Sequence, residues 1–199
     1  MKNTVIVIMA LVSFIACKKE TRDQLKKAKQ EVSNATKIIS NAKEIQEESA
    51  KLKEVTPLTN EELKTWLPEK VADLSRTGFK VGKTGYMNVA SIEGTYKAED
   101  GRELRVEIMD GAGEIGSALM VGMGAANKME VEEEDERKHL QTITKNGVKA
   151  KQTYYKKRDD TELQFIYSGR FMVIVRAKDT KPEKTWELVE KLNLESLTK

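Results

Sequence analysis

The chain has 199 residues, with 35 Lys and Arg against 32 Asp and Glu, a formal charge of +3 and a pI near 8.7. Charge that mild excludes the concentrated basic face of a nucleic-acid binder, and 34% charged against 6% aromatic residues implies a well-solvated surface over an aliphatic core. One Cys in the whole chain excludes a disulfide scaffold.

The N-terminus has one Lys, then an apolar run from Val5 to Ile15 with one Ser in it. A helix of that length covers about half of a ~30 Å hydrocarbon core, so it is too short to span. A charged start, a short apolar stretch and a small residue before a cleavage point are the design of a secretory signal. Phe14-Ile15-Ala16-Cys17 resembles the lipobox of bacterial lipoproteins, with Phe14 where Leu is commoner. The resemblance covers only this targeting segment. It implies that residues 1–16 are cut away, that Cys17 receives a diacylglycerol, and that its new amino group is acylated, commonly with palmitate. Each buried CH₂ contributes about 0.8 kcal/mol, so two or three chains form a firm anchor. It also implies a cell-envelope location. Lys18 beside the anchor offers no Asp-type retention signal, which favours the outer membrane, facing the periplasm or the exterior.

Residues 18–30 are basic, with Lys18, Lys19, Arg22, Lys26, Lys27 and Lys29 against Glu20 and Asp23. Beside an anchor such a run either meets anionic headgroups or serves as a solvated tether. From Asp23 to Val55 there is neither Gly nor Pro, and Leu25, Ala28, Val32, Ala35, Ile39 and Ala42 recur at steps of three and four. That periodicity predicts a helical stalk over residues 17–56, about 50 Å long in its helical part. Ile38, Ile45 and Leu52 widen the apolar stripe. The stalk either packs on the domain that follows or pairs with another copy as a coiled coil.

Residues 57–199 are expected to form one α+β domain, an antiparallel β-meander sheet with packed helices. Thr59-Asn60-Glu61-Glu62 is a capping box ahead of a short helix that stops at Pro68. Residues 69–85 read as connecting structure broken by Gly78, Gly82 and Gly85. Gly82-Lys83-Thr84 fails as a P-loop, because Thr77 stands where the motif needs Gly. Strands are expected from Tyr86 to Tyr96, around Leu104–Ile108, Leu140–Lys145, Val148–Tyr155, Leu163–Tyr167 and Phe171–Ala177. Their turn signals are Asp100-Gly101, Asn146-Gly147, Asp159-Asp160 and Ser168-Gly169. Thr180 to Glu183 reads as a second capping box, with Pro182 at the start of a final helix that buries Trp186, Leu188, Val189 and Leu192.

Gly111-Ala112-Gly113-Glu114-Ile115-Gly116 is a full GxGxxG after a strand and before an apolar helix, with an acidic run from Glu130 to Glu136 about twenty residues on. Locally it matches the dinucleotide fingerprint, with Gly111, Gly113 and Gly116 as alternative cofactor-binding residues. Against that, the preceding strand belongs to a hairpin, only one further helix remains, and nicotinamide cofactors are scarce outside the cytoplasm. The structural account is that Gly111 and Gly113 make a turn, and that Ala118, Gly122 and Ala126 form a smooth ridge for packing on the sheet.

His139 is the lone histidine and has no nucleophile-elbow partner. The acidic run lacks the spacing of a Ca²⁺ loop and reads as solvated. Met109, Met120, Met123 and Met129 serve either the core or an adaptable groove. No catalytic, metal or cofactor residue is therefore assigned. The expectation is a non-catalytic interaction or binding module held at a membrane through Cys17, with a protein partner or a homo-oligomer through the stalk and no nucleic acid. The alternatives are a nucleotide-binding protein or enzyme using residues 111–116, and a carrier of an apolar ligand between the sheet and the Gly-rich helix.

Overall fold

The computed structural model describes residues 43–83 and 89–198. The signal segment, Cys17 and the stalk up to residue 42 lie outside the described residues. Glu44–Lys199 form one compact unit, to which everything below belongs apart from Lys43 at the start of the first helix.

Residues 43–53 are helical (α1). They are followed by α2 (Asn60–Trp66), β1 (Lys70–Val71), β2 (Leu74–Lys83), β3 (Ala90–Lys97), β4 (Glu103–Asp110) and α3 (Gly113–Lys128). Then come β5 (Glu132–Glu134), β6 (Lys138–Lys145), β7 (Val148–Tyr155), β8 (Asp160–Tyr167), β9 (Phe171–Lys178), α4 (Pro182–Glu190) and a 3₁₀ turn (Leu194–Thr198). The described strands form one antiparallel sheet in the order β1-β2-β3-β4-β9-β8-β7-β6-β5. Two meanders are thus joined along β4 and β9, and the fold is α+β. Helix α3 carries the chain from the sheet's centre to its far edge, lying over β7 and β8.

The turns follow their sequence signals. Asn146 and Gly147 adopt φ of 52° and 77°, and Ser168 and Gly169 adopt 51° and 67°, the paired left-handed residues of a tight hairpin. With register so fixed, alternate residues sort onto two faces. One face collects Leu104, Val106, Ile108, Leu163, Phe165, Val173 and Val175 under α2 and α4. Phe165 stacks on Trp186 at 5.8 Å, and the Trp186 indole Nε1 donates to Gln152 Oε1 at 3.0 Å, so the one buried polar edge has a partner. The other face is split. Half of it packs Met109, Met172, Ile166 and Ile174 against Leu52, Met120, Leu119 and Met123. The remainder is a lattice of ion pairs that includes Lys178–Glu103 at 3.2 Å and Arg176–Glu162 at 3.1 Å. Lys178 and then Lys97 hold the Glu103 carboxyl below its usual range.

Three expectations change. Residues 74–83 form a strand rather than a connection, because Gly78 sits at a register shift after Arg76 that bends the strand without ending it. Of the two uses left open for the stalk, its described end takes the first and packs on the domain: Ile45 and Leu52 are buried, and the Ser49 hydroxyl donates to Ser117 O at 2.8 Å. Thr180 does not cap α4. Its hydroxyl donates to Lys178 O at 2.9 Å, Lys181 is the N-cap, and Pro182 is the first helical residue. The first capping box does form, with Glu62 N on Thr59 Oγ1 at 3.2 Å and Thr59 N on Glu62 Oε2 at 2.7 Å. Finally, the ridge Ala118, Gly122 and Ala126 faces solvent, and the parallel ridge Gly116, Met120 and Gly124 faces inward. The two ridges share a spacing, so the sequence alone could not choose between them.

Candidate functional site

The glycine motif opens where β4 ends. Asp110 is the last residue of that strand and is fully buried. Its Oδ1 accepts from Arg170 Nε at 2.7 Å and from Ala112 N at 3.0 Å. Its Oδ2 accepts from an Arg170 terminal nitrogen at 2.7 Å and from Leu58 N at 2.8 Å. Arg170 also donates to Thr56 O at 3.2 Å and lies 4.9 Å over the Phe171 ring. One carboxylate thus ties together the β4–α3 turn, the β8–β9 hairpin and the segment ahead of α2. All its strong acceptor directions are taken, which suits a buried ion pair holding a fold rather than a base awaiting a proton. Sequence reasoning missed the pair. Positions 110 and 170 share no spacing signal, and only pairing of β4 with β9 brings them together.

The three glycines have steric reasons. A Cβ on Gly111 would stand 2.3 Å from Met120 Cγ and 2.6 Å from Arg170 O. The Gly111 amide itself donates to that carbonyl at 2.9 Å. Gly113 has a φ of 75° and faces Pro57 Cγ, 2.9 Å from where a Cβ would be. A Cβ on Gly116 would lie 2.7 Å from Gly111 C and 2.8 Å from Asp110 O. These residues let the first turn of α3 bed against the end of its own preceding strand. A cleft of about 590 Å³ does open beside them, between Pro57–Asn60, Val89–Ala90 and Ala112–Gly116. Among the described residues the only charged one lining it is Glu114, which pairs with Lys53 at 3.4 Å. Strand β4 lies between antiparallel neighbours, whereas the dinucleotide site needs a parallel βαβ unit.

A second cleft, about 500 Å³, lies between α4 and the β6–β8 hairpins. Phe165, Trp186 and Val148 form its floor, and Lys145, Asn146 and Glu190 its rim. The Lys145 ammonium sits 5.9 Å over the Trp186 ring. An apolar floor with a few polar groups is the usual make-up of a ligand or peptide groove.

His139 on β6 has Nε2 buried without a hydrogen-bond partner among the described residues, 3.8 Å from Glu132 Oε1. The middle of the acidic run forms edge strand β5, and the run's carboxylates pair with lysines of the neighbouring strands and turn: Glu130 with Lys149 at 2.5 Å, Glu134 with Lys156 at 2.7 Å and Glu133 with Lys138 at 3.5 Å. Among the described residues no group of three His, Cys, Asp or Glu side chains is placed to hold a metal ion. Met109, Met120 and Met123 pack with Met172 between α3 and the sheet, where an apolar-ligand carrier would need space, whereas Met129 is exposed. No described helix is long and apolar enough to cross a membrane.

No family model and no curated protein matches the chain. A solved structure described as a GTP binding regulator from Thermotoga maritima is similar at 10% identity, covering 66% of this chain and 84% of that one with a TM-score of 0.32. A likeness that loose transfers neither fold nor ligand.

Proposed function

We propose that the protein is a lipid-anchored, non-catalytic binding module of a bacterial cell envelope, held at the membrane surface by acyl chains on Cys17. The observation that carries this reading is Phe14-Ile15-Ala16-Cys17 directly after an apolar run too short to span. Its support in the domain is that the motifs suggestive of chemistry are committed to intramolecular contacts. Asp110 is saturated by Arg170 and two amides, the glycines accommodate backbone, and the acidic run is paired with lysines. The groove over Phe165 and Trp186 is the surface this reading offers to a ligand.

The test is fractionation of the host with the native chain and a Cys17→Ser variant, together with the mass of the mature protein. The native chain should partition with membranes and exceed its polypeptide mass by two or three acyl groups and glycerol. The variant should lose that added mass and leave the membrane fraction. Unchanged partition at unadorned mass would end the proposal. Titration of the detergent-solubilised chain with NAD and with ATP addresses the competing use of Gly111, Gly113 and Gly116, and no saturable heat is expected.

A further inference from the structure

A helix on a protein surface normally turns charge toward water. Helix α3 carries only Glu114 and Lys128, one near each end. Between them the exposed positions are Ile115, Ala118, Val121, Gly122, Ala125 and Ala126, and Met129 follows at the C-cap. Ile115 is 48% exposed, Val121 42% and Met129 65%. Such a face amounts to a few hundred Å², the size at which an apolar patch marks an interaction site.

Five of these seven positions are symmetrical about Gly122, the exceptions being Val121 and Ala125, whose counterparts Met123 and Leu119 pack inward. Ala118 and Ala126 lie four residues to either side, and Ile115 and Met129 lie seven. Steps of four and seven return to one side of a helix with 3.6 residues per turn. Read in either direction, the ridge runs large, small, glycine, small, large. A two-fold contact requires such a self-complementary surface. A Cβ on Gly122 would meet nothing within 4 Å, so no contact within the chain explains a glycine where alanine would favour the helix. Close approach of a second helix does explain it.

We propose that two copies of this chain pair through the exposed face of α3, the helices antiparallel about a two-fold axis at Gly122. Ile115 of one copy then packs on Met129 of the other, and Ala118 on Ala126. Two such patches with their flanks bury roughly 1,000 Å², the lower bound for a specific interface, so the dimer is weak. The symmetry of the ridge favours a second copy over a lipid surface, which would require none. The proposal stands apart from the anchor on Cys17, since it rests only on α3.

The test uses the full chain with Ile115→Cys, Gly122→Cys or Met129→Cys under mild oxidation, the unsubstituted chain giving the background from Cys17. Gly122→Cys should yield a covalent dimer by itself. Ile115→Cys and Met129→Cys should cross-link chiefly to each other when mixed. Self-cross-linking of Ile115→Cys above the mixed product, or no product at Gly122→Cys above background, overturns the arrangement. Sedimentation equilibrium of the same chain with Ile115→Asp or Met129→Asp should show self-association weakened at least roughly tenfold. A native chain that stays monomeric at roughly 100 μM, or a dimer indifferent to Ile115→Asp, would also overturn it.

Discussion

Gly116→Ala separates a glycine that makes room for backbone from one that makes room for a ligand. On helix propensity alone the change should stabilise, because alanine is favoured over glycine in a helix by about 0.8–1.0 kcal/mol. The structure reverses the sign. The new methyl would lie 2.7 Å from Gly111 C and 2.8 Å from Asp110 O, and neither backbone atom can rotate away. The first turn of α3 would have to lift from the end of β4. That movement pulls on the Ala112 N bond to Asp110 and on the Gly111 N bond to Arg170 O. Overpacking costs about 1–3 kcal/mol, and a weakened hydrogen bond to a charged group adds about 1.5 kcal/mol. With the propensity gain subtracted, the net loss is about 1.5–3.7 kcal/mol, or roughly 3–15 °C in Tm for a domain of this size. Thermal and urea unfolding followed by circular dichroism would measure it, with Gly122→Ala as the control in dilute protein. That control meets open space and should gain about 0.5–1 kcal/mol. A Gly116→Ala chain that melts at or above the native temperature would refute the packing account and return the glycine motif to ligand binding.

Removing the buried carboxylate with Asp110→Ala strands the Arg170 guanidinium and the Leu58 and Ala112 amides, and should cost about 3–5 kcal/mol in urea unfolding. Adding Arg170→Met should restore part of that loss; strictly additive losses would mean that the two side chains are not coupled. Leu52→Ala should cost about 2 kcal/mol and speed proteolysis within residues 44–56, and protection unchanged from the native chain would argue that α1 does not belong to the domain. Tyr96 is fully buried, donates to Pro68 O at 3.0 Å, and has its pKa raised by burial to about 12. The unfolded chain releases that proton near pH 10, so the stabilisation is complete below pH 10 and is lost as pH climbs toward 12. Tyr96→Phe should flatten that alkaline decline in unfolding free energy; an identical slope in both chains would assign the decline to other groups.

Most of the sheet was legible in the sequence, because hairpins are local. Alternation at Leu104, Val106 and Ile108 and a turn at Asn146-Gly147 each depend on a few adjacent residues, and both hold. Readings failed where a residue's role depends on something distant. Gly78 and Gly82 signal a break in isolation, yet pairing with β3 keeps them inside a strand. Thr180 has the spacing of a cap, but its hydroxyl is taken by the end of the strand before it. Asp110 and Arg170 were invisible because sixty residues of chain close between them. The glycine fingerprint is set aside on a local signal: a dinucleotide site is defined by the direction of the neighbouring strands, and the Asp100-Gly101 turn already marks the strand before it as one arm of a hairpin, as β3 and β4 are.

The acidic run gains its account from the same topology. A nine-stranded sheet that does not close leaves two edges, each with unpaired amides and carbonyls able to template another strand. One edge here is β1, two residues long, too short to extend. The other is β5, whose three residues are glutamates, all exposed. A strand approaching β5 in register would set its side chains against that row of carboxylates, and an identical β5 would bring like charges face to face. Lysines on β6 and β7 and the turn after β7 hold Glu130, Glu133 and Glu134 in place, so the row stays ordered while its outer side stays acidic. On this argument residues 130–136 guard the sheet's end. With both edges so guarded, the proposed self-association is left to a surface away from the strand edges, the apolar residues exposed along α3.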